Sequence, residues 1–108
     1  MTCEILLTED ALQDLSELDA YIAAHDGPEK ADHVLSEIET AILKLGDFPE
    51  RGNYPPELST LGIKEYREVF FKPYRIIYRV LGGRVYIYLI ADGRRDMQAL
   101  LARRLLLP

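Results

Sequence analysis

Tyr74-Arg75-Ile76-Ile77-Tyr78-Arg79-Val80-Leu81-Gly82-Gly83-Arg84-Val85-Tyr86-Ile87-Tyr88-Leu89-Ile90 reads as two β-patterned runs around a two-glycine turn. Two adjacent glycines between alternating apolar runs are a strong hairpin signal, because the tight turn needs positive φ at both central positions. A two-residue turn fixes the expected register. Leu81 faces Arg84, Val80 faces Val85, Arg79 faces Tyr86, Tyr78 faces Ile87, Ile77 faces Tyr88, Ile76 faces Leu89 and Arg75 faces Ile90. Side chains alternate, so Ile76, Tyr78, Val80, Val85, Ile87 and Leu89 form one continuous apolar face. The opposite face carries Arg75 and Arg79 among tyrosines and isoleucines. Such a face is neither oily nor fully solvated, and suggests a surface that something covers.

Working outward, Cys3 to Leu7 reads as a short first strand. Thr8 is placed to cap a helix whose first turn holds Glu9 and Asp10, favourable to the helix dipole. Ala11, Leu12, Leu15, Leu18 and Ile22 recur at helical spacing and fade near His25. Asp26-Gly27-Pro28 breaks the chain and restarts it, with Pro28 suited to a first helical position. The second helix carries the stripe Ala31, Val34, Leu35, Ile38, Ile42 and Leu45, and Gly46 is a natural stop. Two amphipathic helices so closely joined predict an antiparallel helical hairpin. The proline- and glycine-rich stretch 47–62 predicts a loop without regular structure. A strand follows over Lys64 to Phe71, then a Lys72-Pro73 turn, then the glycine hairpin, ending at Asp92-Gly93. Asp96 is placed to cap a short final helix over Met97 to Leu106. The expected fold class is α+β: an N-terminal strand, a helical hairpin packed on an antiparallel β-meander, and a short C-terminal helix. At 108 residues a single domain spanning 1–108 is expected.

The net charge is −5, and its distribution is uneven. Residues 1–60 hold three Lys/Arg against fourteen acids, a net of −11, whereas residues 61–108 hold ten against four, a net of +6. A basic sheet half permits an acidic or nucleic-acid-associated partner, but the acidic total argues against tight nonspecific DNA binding by the chain alone. No apolar run is long enough to span a bilayer, so no membrane partner is expected. The start Met-Thr-Cys-Glu-Ile-Leu-Leu lacks a secretion-signal pattern, which makes cytoplasmic residence the expectation. Cys3 is the sole cysteine, which leaves no internal disulfide and no thiolate cluster.

His25 and His33 lie apart in the helical pattern, so neither a metal site nor any cofactor is expected. Ser16, Ser36 and Ser59 sit in no nucleophile motif, and Cys3 in a strand reads as a packed residue. The serious candidates are guanidiniums, which clamp phosphate or carboxylate in bidentate fashion. Arg75 and Arg79 share a sheet face; Arg94 and Arg95 follow strand four. The competing reading is structural: Arg75 and Arg79 pair with Glu68 and lie over Tyr86 and Tyr88.

The ordered combination of a strand, a helical hairpin, Phe48-Pro49-Glu50-Arg51-Gly52, Arg67-Glu68, Tyr74-Arg75-Ile76-Ile77-Tyr78-Arg79-Val80 and Gly93-Arg94-Arg95-Asp96 resembles the RelE/ParE toxins of bacterial type II toxin–antitoxin systems. The resemblance covers roughly residues 5–101, nearly the whole chain. It implies a small toxin neutralised by a cognate antitoxin from the same operon, whose tail wraps helices and sheet. RelE-like members cut mRNA on the ribosome with arginines on the concave sheet and near the last strand, lysines on the second strand, and often a late tyrosine or histidine. Arg75 and Arg95 match the two arginine positions. The second strand instead offers Tyr66, Glu68 and Phe70 to that face, and Leu101 stands about where the late tyrosine falls. RNA cleavage needs a base, an acid and charge stabilisation, and arginine serves chiefly the last. ParE-like members lack that set and poison DNA gyrase by binding it. The resemblance therefore implies a ParE-like, non-enzymatic gyrase poison, with the ribosome-dependent nuclease and an inactive antitoxin-binding member as alternatives. The expected partner or target surface is Arg75, Arg79, Tyr86, Tyr88, Arg94 and Arg95.

Overall fold

The computed structural model describes residues 2–107. Strand β1 (Glu4–Leu7) leads into helices α1 (Glu9–Asp26) and α2 (Pro28–Leu43). A single turn of helix, α3 (Pro56–Ser59), precedes the strands β2 (Arg67–Phe71), β3 (Tyr74–Leu81) and β4 (Arg84–Asp92). Helix α4 (Met97–Leu101) runs on into a wide turn over 102–106. The four strands form one mixed sheet in the order β1-β4-β3-β2, with β1 parallel to β4 and the rest antiparallel. No helix among the described residues is long and apolar enough to cross a membrane.

Local chemistry sets these boundaries. The Thr8 hydroxyl accepts the Ala11 N–H at 3.1 Å and starts α1, and Asp96 does the same for Ala99 in α4. Pro28 opens α2 where its missing N–H costs nothing. Gly82 and Gly83 take φ of 57° and 76°, the left-handed pair that a two-residue hairpin matched to strand twist demands. The helical hairpin buries Ala11, Ile22, Ala31, Val34, Ile38 and Ile42 against Ile76, Tyr78, Val85, Ile87 and Ile90. Tyr78 crosses that core so that its hydroxyl donates to the Pro49 carbonyl at 2.7 Å and accepts the Gly52 N–H at 3.0 Å. The Phe-Pro-x-x-Gly stretch is thereby tied to the centre of the sheet.

The hairpin departs from its simple register halfway along. Pairing is as expected from the turn to Tyr78↔Ile87, and a β-bulge then inserts one residue. Beyond it Ile77 pairs with Leu89, Ile76 with Ile90 and Arg75 with Ala91, instead of with Tyr88, Leu89 and Ile90. The extra residue rotates the strand. Leu89 leaves the helix-facing core for the other side of the sheet, and Ile90 takes its place.

That other side is not open. Ile77 and Leu89 are fully buried there in a second core with Leu58 of α3, Tyr66, Ala91, and Met97, Leu100 and Leu101 of α4. The expectation that a partner must cover this whole face is corrected: the chain's own α3 and α4 cover its middle. Three smaller expectations are corrected with it. The stretch 47–62 contains α3, started by Pro56 with Glu57 in its first turn. Strand β2 begins at Arg67 rather than Lys64. The final α-helix ends at Leu101, after which the chain widens into a π-type turn.

Candidate functional site

The six arginines and tyrosines singled out from the sequence fall into three places. Arg75 lies beneath α3, only 8% exposed. Its Nη1 and Nη2 each donate to a carboxylate oxygen of Glu57 at 2.7 Å, and its Nε donates to Glu68 Oε1 at 2.7 Å. Gly93 makes room for it, since a Cβ there would sit 2.8 Å from Arg75 Cδ. Bonding to Arg75 holds the Glu57 carboxyl below its ordinary value. Burial pushes Glu68, 3% exposed, above its ordinary value despite the same arginine. The guanidinium, bound chiefly by Glu57, is raised beyond any accessible titration. Both of its acid-facing edges are therefore spent inside the protein. Glu68 was readable as a partner from the strand pattern, but Glu57 reaches in from the loop region and had no local signal.

Arg94 and Arg95 lie past the end of β4, both exposed. Arg94 folds back on Asp92 at 2.6 Å and, through that bond, keeps the Asp92 carboxyl low. Arg95 makes no ion pair among the described residues; its backbone N–H is bonded to the Asp92 carbonyl. Both line a groove of about 510 Å³ against α1, with Tyr21, His25 and Tyr74.

Arg79, Tyr86 and Tyr88 form the third place, near the hairpin turn. Tyr86 stands opposite Arg79 in the ladder. The Arg79 guanidinium lies 5.9 Å from the centre of the Tyr66 ring, and Tyr66 meets Tyr88 edge-on at 5.5 Å. Beside them Arg67 is stacked 4.7 Å over Tyr54. Its Nη1 donates to the Glu50 and Gly52 carbonyls and its Nη2 to the Tyr54 hydroxyl. Lys64 approaches the same Tyr54 ring at 5.9 Å. Lys64, Arg67 and Arg79 together edge a concavity of about 240 Å³, lined also by Glu50, Glu65, Val80 and Leu81. Arg67, Lys64 and Tyr54 were not among the expected site residues. No local signal in the sequence joins them, because their clustering depends on how the 50–54 loop folds back.

The family model for the ParE toxin of the type II toxin–antitoxin system parDE matches residues 5–97. The chain belongs to the ParE toxin family. It is a toxin of a type II toxin–antitoxin system. A relative among characterised proteins, Toxin ParE3 of Caulobacter vibrioides, is 27% identical over 104 residues, covering 93% of this chain and 96% of the relative. Among solved structures, a chain of the chromosomal ParDE toxin–antitoxin system from P. aeruginosa superposes with a TM-score of 0.70 at 22% identity, over 84% of this chain and 96% of that one. A variant of E. coli toxin RelE in the free state gives 0.65 at 13% identity, over 99% and 100%. The RelBE2 toxin–antitoxin complex of Mycobacterium tuberculosis gives 0.58 at 20%, over 85% and 92%. At such identities these structures establish the RelE/ParE fold. In this ParE toxin Arg75 of β3 points inward, into a carboxylate clamp.

Proposed function

We propose that this toxin acts by binding DNA gyrase and holding it on cleaved DNA in the cytoplasm, and that a cognate antitoxin neutralises it. The observation that supports this most directly is the Arg75 clamp. A nuclease built on this sheet needs a guanidinium facing the scissile phosphate, and here that guanidinium is buried and bonded to two carboxylates. A phosphate brought to Arg75 would have to displace Glu57 and would meet Glu68 as a like charge. Leu101, about where the family resemblance places the late tyrosine of ribosome-dependent nucleases, is fully buried and carries no proton to transfer. Action by docking requires none of these groups.

Support for an antitoxin comes from the surface of the helical hairpin, where Leu12, Tyr21 and Leu43 are exposed. Apolar side chains of this size in a helical layer suit the apolar face of a partner segment that orders on binding.

The test is a supercoiling and DNA-cleavage assay with purified gyrase holoenzyme. Wild-type toxin in excess is expected to inhibit supercoiling and to accumulate covalent gyrase–DNA complexes, and prior mixing with the antitoxin should abolish both. Undisturbed supercoiling, together with cut mRNA on programmed ribosomes, would replace this reading with the nuclease. Undisturbed supercoiling with intact mRNA would leave an antitoxin-binding protein without a poison's activity.

A further inference from the structure

We propose that the concavity edged by Lys64, Arg67 and Arg79 is the grip by which this toxin holds its target, and that its occupant is a short acidic segment of the target protein, not nucleic acid. This rests on the gyrase reading above and names the surface and the chemistry of contact.

Four of the arginines in the basic half of the chain are already neutralised: Arg75 by Glu57 and Glu68, Arg84 by Glu4, Arg94 by Asp92 and Arg104 by Asp14. Arg67 and Arg79 are different. Neither is in an ion pair among the described residues, and their guanidinium carbons lie over tyrosine rings, 4.7 Å from the centre of Tyr54 for Arg67 and 5.9 Å from that of Tyr66 for Arg79. Arg67 is further fixed by three neutral acceptors at 2.9–3.2 Å. Neutral acceptors orient a guanidinium without cancelling its charge. For Arg67 the usual entropic penalty of freezing a long side chain on binding is thus already met in the free protein. One oriented cationic fork, a second unpaired guanidinium and an exposed lysine around one hollow are complementary to carboxylates.

The surroundings choose between anions. Glu50 and Glu65 stand on the same rim with no ion pair among the described residues, so the local excess of positive charge is small. The neighbouring 1–60 segment carries a net −11. A phosphate backbone running across the rim would meet those acids, whereas an isolated carboxylate reaching in need not. Val80 and Leu81 also line it, which suits an aliphatic neighbour of the acid. At about 240 Å³ the hollow is below the usual range for a free small ligand, about 300–1,000 Å³, and fits an anchor side chain of a macromolecule.

The experiment measures binding of the toxin to gyrase holoenzyme without DNA at low and moderate salt, alongside cleavage-complex trapping. The variants are Arg79→Glu and Lys64→Glu; Arg67 is left intact because it also anchors the 50–54 loop. Circular-dichroism melting and antitoxin binding of each variant establish that it is folded. Wild type is expected to bind without DNA and to weaken as salt rises. Arg79→Glu should lose at least tenfold in affinity and trapping, and Lys64→Glu should lose in the same direction. Wild-type trapping with both folded variants equally active would overturn the grip and leave the gyrase reading standing. A wild type that neither binds nor traps gyrase would remove both. Tight binding of a short duplex by the toxin alone, abolished by Arg79→Glu, would make the occupant nucleic acid and overturn the acidic segment.

Discussion

Arg75 is a stability residue before it is anything else. It is the one cation among two carboxylates in a nearly dry site, and its planar fork serves both at once. Removing one partner of such a buried cluster leaves charge uncompensated and costs about 3–5 kcal/mol. Arg75→Ala is expected to lower the thermal midpoint by roughly 10 °C or more, and Arg75→Lys should fall between, since an ammonium cannot span both acids. A variant melting near wild type would show that the clamp contributes little. Lost toxicity in Arg75→Ala is therefore no sign of catalysis unless folding is shown to survive. The two acids also titrate in opposite senses. Glu57 is lowered from its ordinary 4.5 by its bond to Arg75, so the unfolded chain binds its proton more readily. The stability it confers is present above about pH 4.5 and is lost as pH falls through the folded value. Glu68 is raised from 4.5 by burial, so here the folded state holds the proton more readily. Its contribution is largest below 4.5 and diminishes as pH rises through the folded value. In urea titrations across pH, Glu57→Gln should flatten the acid limb below about 4.5, and Glu68→Gln should flatten the decline above it. Identical pH profiles for wild type and both variants would contradict this assignment.

At the level of elements, the C-terminal turn is held by a pair that lies ninety residues apart. β1 accompanies β4 only as far as Leu7↔Ile87, so the outer edge of β4 is bare beyond it. Asp14 of α1 accepts the Ile90 N–H at 3.0 Å, Arg104 donates to the Tyr88 carbonyl at 3.0 Å, and the two side chains grip each other through two further bonds of 3.0 Å. Side chains thus satisfy the edge that β1 leaves, as buried backbone requires. Arg104→Ala should speed amide exchange at Leu107, whose N–H bonds back to Ala102, and leave mid-α1 amides unchanged. Asp14→Ala should in addition unprotect Ile90, at a cost of about 1–3 kcal/mol. Unchanged exchange at Leu107 in the first variant would mean that the turn is held by its leucines alone. The sequence announced the elements that carry a local signature: the Thr8 and Asp96 caps, Pro28, and the Gly82-Gly83 turn. It was silent where the signature is tertiary. The bulge inserts its extra residue among apolar side chains, and Tyr88-Leu89 has no glycine to mark it. Pro56-Glu57 is a sound helix start, but four residues between prolines and a glycine are outweighed by the breaker signals around them. Arg79, Tyr86 and Tyr88 could be placed together from the turn alone. Arg67 and Tyr54 could not, because a folded-back loop joins them.

The whole molecule is one sheet serving two cores. The helical hairpin packs on one face through Ile76, Tyr78, Ile87 and Ile90; α3 and α4 pack on the other through Ile77, Leu89 and Leu101. Alternate residues of the same two strands feed both, so neither layer can lose its contacts without loosening the strands that the other needs. β1 adds a long-range tie by pairing the first residues of the chain with β4. Such sharing predicts a single cooperative transition. The chain has seven tyrosines and no tryptophan. Tyr66 and Tyr88 lie in or against the second core and Tyr78 and Tyr74 in or against the first, so tyrosine reports both faces, whereas most of the α-helix lies in the hairpin. Tyrosine fluorescence and far-ultraviolet dichroism therefore weight the two faces differently. Their urea transitions are expected to coincide. Leu101→Ala, which empties a fully buried site in the second core, should cost about 2–5 kcal/mol. It should shift the helical signal to the same new midpoint as the tyrosine signal, although no helix of the hairpin belongs to that core. A helical signal that stayed at the wild-type midpoint while the tyrosine signal moved would mean that the two faces unfold separately and that the sheet does not couple them.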